Sequence, residues 1–416
     1  MHIRRFKWHR SGYLFIFLMY LLVLQNCLQE FIPFIRYADE LIAISAVAVG
    51  VYRFINNIKR GIKIQFLNYG ILITVVVGII SSAVYKYQDW NIVFSDLLLV
   101  VKFFLTIYLG EQCFSWILGD GGICSTINKH VRFIIYMLAL LSILDYAIDI
   151  FPGTERYGIK SLQLFYGHPT SLTAVMAFLM AVYTATSNKK MRLFDILLCC
   201  VIASFTLRSK AFALAASAVM LYFILIKGKK KINVFYIVLG AIILYGLAYN
   251  QISYYYGVET DGFARQELNE ASIEIAKDYF PIGTGFGTYA SYFSGVEYSP
   301  VYYKYGLNTV WGLTKDNPAF VADTFWPMII GQFGLIGTIG YIASLIVLFV
   351  KIQKLYNINI TSYYSGLLAF VYLFISSTAE TAFVHPMAIP LALIMGMVCG
   401  QRKNNDLCGS LKMSEI

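Results

Sequence analysis

Charge is what this chain of 416 residues has least of. Only 13% of its residues are Asp, Glu, Lys or Arg, about half the share carried by a soluble globular protein. With 58% hydrophobic residues and a mean hydropathy of +0.65, a water-exposed fold, a disordered chain and a coiled coil are excluded. Cysteine is sparse as well. There are 7, none in the longest polar stretch, so a secreted disulfide scaffold is excluded and no metal-ligand spacing exists. No long internal repeat is present, and no nucleotide-binding glycine loop. Gly283-Thr-Gly285-Phe-Gly287 has some of the right letters, but no strand precedes it. The apolar stretches are continuous rather than alternating, which argues against a membrane β-barrel.

What the chain does have is a series of apolar runs, many of them near the roughly 20 residues that cross a bilayer as helix. Twelve spans are predicted, at 11–29, 37–55, 66–84, 91–110, 131–150, 168–186, 193–208, 211–226, 232–250, 323–350, 362–380 and 384–400. The expected fold is an all-α polytopic membrane protein. Residues 1–250 hold helices 1–9, residues 251–322 form a large outer loop containing short helices, and residues 323–416 hold helices 10–12 and a cytoplasmic tail. The first run follows a basic N-terminus but lacks a small-x-small cleavage site, so it reads as a retained span. The net charge is +10. With the N-terminus inside, about twice as many Lys and Arg fall on inner as on outer segments, which places both termini in the cytoplasm. The positive balance therefore reflects topology and anionic lipid headgroups and needs no nucleic acid. Cys199 and Cys200, adjacent in an apolar run, read as packing residues.

The loop at 251–322 is long enough to be functional. It is rich in tyrosine, among them Tyr254, Tyr255, Tyr256, Tyr279, Tyr289, Tyr302 and Tyr305, and it holds Trp311. From Gly262 to Tyr279 the spacing is helical, with Phe263, Leu268, Ala271, Ile275 and Ala276 on one face, and Pro281 ends the helix. Two readings of the aromatics stand side by side. They form an interfacial belt, or they form a sugar-binding surface, where rings stack on the apolar faces of sugars and phenols bond to hydroxyls.

Five polar sites interrupt the apolar pattern. Arg208 and Lys210 lie in a tight outer turn at headgroup depth, where two cations either snorkel to lipid or meet an anion such as pyrophosphate. Arg265, on the predicted loop helix, either joins the same anion or pairs locally with Asp261 or Glu267. Asp316 and Asp323 precede a late span. Asp323 either caps that helix or acts as a general base toward a sugar hydroxyl. His168 opens the sixth span as a base, a sugar ligand or a cap. Glu380 and His385 share the last outer turn, as a structural pair or as glycan contacts. Asp96 and Lys102 lie within one span, six residues apart, and each is expected to snorkel.

Arg208-Ser209, the loop with Ala264-Arg265, Gly283-Thr-Gly-Phe-Gly-Thr-Tyr289 and Asp323-Thr-Phe-Trp-Pro-Met-Ile-Ile-Gly-Gln occur in that order. Together they resemble the O-antigen ligase and Wzy-type polysaccharide polymerase superfamily, most closely over residues 160–350. The resemblance implies a GT-C-like, metal-independent glycosyltransferase without cofactor, at the outer face of the bacterial cytoplasmic membrane. Its donor would be a glycan on undecaprenyl pyrophosphate. The implied pyrophosphate ligands are Arg208 and Arg265, with Lys210 beside them. Asp323 and His168 are the candidate bases, and Asp316, Tyr289, Trp311, Glu380 and His385 the candidate glycan contacts. The ligases carry a histidine just before the late span, where this chain has Ala322-Asp323. That departure favours a polymerase that joins oligosaccharide repeat units into capsule, exopolysaccharide or O-antigen. The implied partners are membrane lipids and chain-length regulator and flippase proteins. The alternatives are a ligase-type transferase to another acceptor and a polysaccharide transporter or flippase.

Overall fold

The computed structural model describes residues 2–59, 69–187, 191–228 and 263–401. The span predicted at 232–250, Tyr254 to Tyr256, Asp261 and the basic tail lie outside the described residues.

The described chain is mostly helical. The order is α1 (His2–Val23), α2 (Gln25–Phe31), α3 (Ala38–Lys59), α4 (Tyr69–Tyr85), α5 (Trp90–Cys113) and α6 (Gly121–Ile148). A two-residue hairpin follows, Glu155–Arg156 against Ile159–Lys160, and then α7 (Pro169–Thr186), α8 (Leu193–Ser204) and α9 (Ser209–Leu221). The large loop contributes α10 (Phe263–Asp278), α11 (Tyr292–Val296) and α12 (Pro300–Lys304). The chain closes with α13 (Phe325–Lys354), α14 (Ile360–Ser376) and α15 (Ala388–Cys399).

Local chemistry sets several of these boundaries. Asp120 caps α6 by accepting from the amides of Gly122 and Ile123, and Asn359 caps α14 by accepting from Thr361. Pro169 opens α7 at a position where its missing N–H costs nothing.

Among the described residues, five helices are long and apolar enough to cross a membrane: α5, α6, α7, α9 with its continuation to Lys227, and α13 with its continuation to Asn357. A sixth exists if α1 and α2, which meet at 75°, form one broken crossing. α4, α8, α14 and α15 are apolar but shorter. α8 and α15 have 12 residues each, about 18 Å of helix against a hydrocarbon core of about 30 Å. Both are shorter than their predicted spans because the chain unwinds at one end, at Phe205–Leu207 and at Ser377–Met387. Those unwound ends carry Arg208 and Glu380.

α7 is apolar all round and is buried nearly all round, as a central helix must be. Cys199 and Cys200 are buried where α8 packs in the bundle. α4 and α13 approach closely: a Cβ on Gly70 would stand 2.3 Å from the Gly340 carbonyl, and Thr74 Oγ1 donates to the Gly337 carbonyl at 2.8 Å.

The described part of the large loop, residues 263–322, is itself folded and docked. α10 covers the predicted helix to within a residue, and Ala264, Leu268, Ala271 and Ile275 are its buried face, laid against α13. Beyond it, the glycine segment enters the bundle. α13 breaks at Gly334 (φ 56°, ψ −157°). The Thr284 amide donates to the Gly331 carbonyl at 3.0 Å, Gly285 to Gln332 at 2.8 Å, and the Ile336 amide to the Pro281 carbonyl at 3.2 Å. The loop thus satisfies backbone groups that a broken helix would otherwise leave without partners in an apolar setting. The next two amides go to side chains, Phe286 to Ser82 Oγ at 2.9 Å and Gly287 to Asp96 Oδ2 at 2.8 Å. Gly283 and Gly285 have positive φ, and a Cβ on either would lie within 2.5 Å of a neighbouring atom.

This docking corrects the reading of Asp96 and Lys102. Neither snorkels. Asp96 is buried as the anchor of the glycine segment, and Lys102 is buried on Asp39, 2.6 Å away.

Candidate functional site

The ends of four elements carry the site. Arg208 occupies the residue before α9, in a turn that protein contacts hold tightly. Ser161 Oγ donates to the Thr206 carbonyl at 2.6 Å, the Leu162 amide to the Phe205 carbonyl at 2.9 Å, and Arg156 Nη1 to the Leu207 carbonyl at 3.2 Å. Leu207 is held at φ 52°, a conformation disfavoured for a branched side chain and sustained only where the surroundings dictate it. The turn therefore presents Arg208 and Lys210 in a set geometry.

Lys210, almost wholly buried, places Nζ 2.5 Å from Glu380 Oε2 in the loop between α14 and α15. Arg265, one residue into the buried face of α10, places Nη2 2.8 Å from Asp323 Oδ2. Thr381 Oγ1 donates to the Ala322 carbonyl at 3.1 Å, so the residue after Glu380 is tied to the residue before Asp323. The two ion pairs are thereby adjacent. The charges of Arg208 and Arg265 both reach Lys210, and those of Arg208, Lys210, Glu380 and His385 reach His168.

His168 stands at the N-terminus of α7, where Nδ1 accepts from the Thr170 amide at 3.3 Å. Partial desolvation of the ring, then the cations of Arg208 and Lys210, hold its pKa below the ordinary histidine value, with Glu380 opposing. This favours the neutral imidazole, whose lone pair on Nδ1 is the atom that Thr170 engages.

One cluster therefore gathers Arg208, Lys210, Arg265, Asp323, Glu380, His385 and His168. Three cations face two carboxylates and two imidazoles, leaving a net positive cluster in which each pairing carboxylate is about one-third exposed. Such an arrangement has the chemistry to accept an oxyanion in place of the carboxylates, since guanidinium and ammonium groups pair with either. Among the described residues, no three His, Cys, Asp or Glu side chains come together to hold a metal ion.

Several expectations change. Asp323 does not cap the late helix; that helix begins at Phe325, and the Asp323 carboxylate turns to Arg265. Arg265 pairs across the fold with Asp323; of the two local partners expected for it, Asp261 lies outside the described residues. Glu380 is the anion of Lys210. Tyr289 offers no surface to a sugar: its ring is fully buried against Tyr302, and its hydroxyl donates to the Leu268 carbonyl at 2.5 Å. Trp311 is exposed, edge-on to Phe320, and Asp316 is exposed. The structure ties neither of them to the cluster. Sequence reasoning missed the Thr381–Ala322 tie and the Lys102–Asp39 pair. Nothing in local spacing marks the first, and an ionisable residue in mid-span is the signal for the second.

No known family model matches this chain, and no curated protein matches it.

Proposed function

We propose that the cluster binds the pyrophosphate of a lipid-linked glycan and transfers that glycan to a second saccharide. In this reading the chain is a metal-independent GT-C-like polymerase, similar to the O-antigen ligase and Wzy-type superfamily, with twelve spans and both termini cytoplasmic. It joins undecaprenyl-pyrophosphate-linked repeat units into a surface polysaccharide at the outer face of a bacterial cytoplasmic membrane. Chain-length regulator and flippase proteins are its expected partners.

The observation that carries the reading is the meeting of Arg208, Lys210 and Arg265, drawn from distant parts of the sequence, beside two carboxylates and a neutral imidazole. A pyrophosphate leaves as a dianion or more, and cations placed where that charge develops lower the barrier. No nucleotide is needed, because the lipid pyrophosphate already activates the anomeric carbon. When the donor engages Arg265, Asp323 is released from its ion pair. The acceptor hydroxyl oxygen then bonds to the anomeric carbon, the bond from that carbon to the pyrophosphate oxygen breaks with its electron pair on the leaving group, and Asp323 or His168 takes the hydroxyl proton.

The test is elongation by the purified full chain in detergent, supplied with lipid-linked repeat units and no nucleotide. Products of more than one repeat are expected, and none from Arg208→Ala. Long polymer at the normal level from Arg208→Ala, with the protein intact, would overturn the reading.

A further inference from the structure

Away from the outer cluster, three ionisable side chains meet inside the bundle. Lys102 lies twelve residues beyond Trp90 in α5, about 18 Å along the helix axis, and its side chain is buried. Its ammonium meets Asp39 Oδ2 at 2.6 Å, and Asp39 has no exposed surface. Glu40 follows directly in the first turn of α3. The approach to this turn is irregular. α1 and α2 bend by 75°, and Gln25 Nε2, buried in the bend, donates to the carbonyls of Ile35 and Arg36 just before α3.

The charges do not balance. If all three groups ionise, one ammonium faces two carboxylates and one negative charge is left over. The surroundings do not neutralise it. Phe31, Ile32, Phe34, Tyr37 and Leu41 expose large apolar surfaces around the turn, as residues facing lipid do. Arg36, the nearest basic residue in sequence, lies over the Tyr37 ring, 5.1 Å from its centroid. The other acidic groups of α5 are engaged elsewhere, Asp96 with Gly287 and Glu111 with Lys351. From the loop after α14, His385 is within reach of the charges of Lys102 and Asp39. An excess charge in such a place is costly enough that the group takes up a counter-charge or loses its own.

The hydrogen bonding says where the compensation belongs. Asp39 Oδ1 and Glu40 Oε2 are both buried, and neither meets an N–H or O–H donor. The two carboxyls lie within hydrogen-bond reach of each other. Oxygens of two carboxyl groups face one another stably across a proton or a small cation. Either would neutralise the triad, but a metal cation needs several oxygen ligands and only two oxygens here lack donors, whereas a proton needs no more than those two.

We propose that Asp39 and Glu40 hold one shared proton, forming a proton-binding site inside the bundle beside Lys102. Protonated, the pair is an acid–carboxylate couple in which one O–H donates to the other group and Lys102 completes the remaining anion. Losing the proton leaves an extra negative charge in the triad whose field reaches His385, in the loop that carries Glu380 and so meets Lys210. The site thus has a route to the outer cluster, but its existence does not depend on what that cluster does.

The test is infrared difference spectroscopy of the purified full chain at neutral pH, wild type against Glu40→Gln and against Asp39→Asn. The expected result is a carboxylic-acid carbonyl band in the wild type that disappears in both variants and persists when sodium is replaced by choline. Absence of that band from the wild-type minus Glu40→Gln spectrum overturns the proposal. So does a band that emerges only when sodium is withdrawn, which would assign the site to a metal cation. Glu40 is only partly buried, so the isosteric Glu40→Gln protein is expected to fold even if Asp39→Asn is not. That variant alone decides the outcome.

Discussion

Arg265 and Asp323, 58 residues apart in the chain, meet at 2.8 Å above the buried face of α10. Both side chains keep some solvent contact, so the pair is worth no more than about 1 kcal/mol to the fold. The proposed function gives it a larger consequence. Arg265→Ala is expected to leave the melting temperature nearly unchanged and to reduce elongation at least tenfold. Asp323→Asn keeps the shape of the side chain but cannot take a proton. If Asp323 is the base, its elongation rate falls by about 10²-fold or more, while donor affinity holds or rises because the competing carboxylate is gone. A rate split of this kind is read from initial rates at several concentrations of lipid-linked repeat. Equal loss of affinity and rate in Asp323→Asn would assign the residue to donor binding instead.

Glu380 is the counterion of a lysine that is nearly wholly buried. Glu380→Gln leaves that cation facing a neutral amide, at a cost of about 1–3 kcal/mol. Millimolar inorganic pyrophosphate is expected to restore more stability to Glu380→Gln than it adds to the wild type, because it supplies the missing negative charge. Thermal unfolding in detergent with and without pyrophosphate measures this directly. No greater rescue in the variant would mean that the anion does not reach Lys210.

His168 titrates below the ordinary histidine value of 6.5, through desolvation first and the charges of Arg208 and Lys210 next. The sign follows from which state binds more protons. Below pH 6.5 the unfolded chain protonates this residue while the folded chain still resists, so stability is intact above that pH and declines as pH falls from there. His168→Gln is expected to flatten this acid-side decline. In Arg208→Ala the ring should titrate closer to 6.5, a shift that NMR of ring-labelled histidine reports whether or not the variant retains activity.

The glycine segment is held by contact, not by composition. Gly285 has φ 98°, and a Cβ there would stand 2.5 Å from Ser82 Oγ and 2.7 Å from the Ser82 amide nitrogen. Gly285→Ala should destabilise by about 3 kcal/mol or prevent folding, the combined result of backbone strain and overpacking. Gly295→Ala meets only ordinary contacts, the nearest at 3.5 Å, and should behave as wild type. Tyr289→Phe removes the bond to the Leu268 carbonyl and is expected to lower stability by about 1 kcal/mol without altering glycan binding. Paired melting curves of the three variants test the docking.

The helix of the loop was legible because its signal is local: Leu268, Ala271 and Ile275 recur at helical spacing, and Pro281 ends the run. The cations at the ends of apolar runs were legible for a similar reason, since Arg208 and Lys210 interrupt an apolar pattern. Tyr289 was not. A tyrosine in a loop reads the same whether its ring stacks on a sugar or on Tyr302, and only packing distinguishes the two. Asp323 was ambiguous for the same reason, because an aspartate before a helix has the same spacing whether it caps the helix or turns to an arginine 58 residues away.

The residue order by itself determined that this is a helical protein with apolar membrane-length segments, and that its few cations concentrate at the ends of those segments. These are properties of short windows, set by side-chain hydropathy and the 3.6-residue period. Which carboxylate answers which cation was decided only when the chain packed. Lys210 and Glu380 are 170 residues apart, Lys102 and Asp39 are 63, and Gly287 meets Asp96 across 191. Such pairings depend on the crossing of helices and the unwinding of their ends, because a contact pair needs its two groups within hydrogen-bond distance and no spacing rule extends that far along a chain.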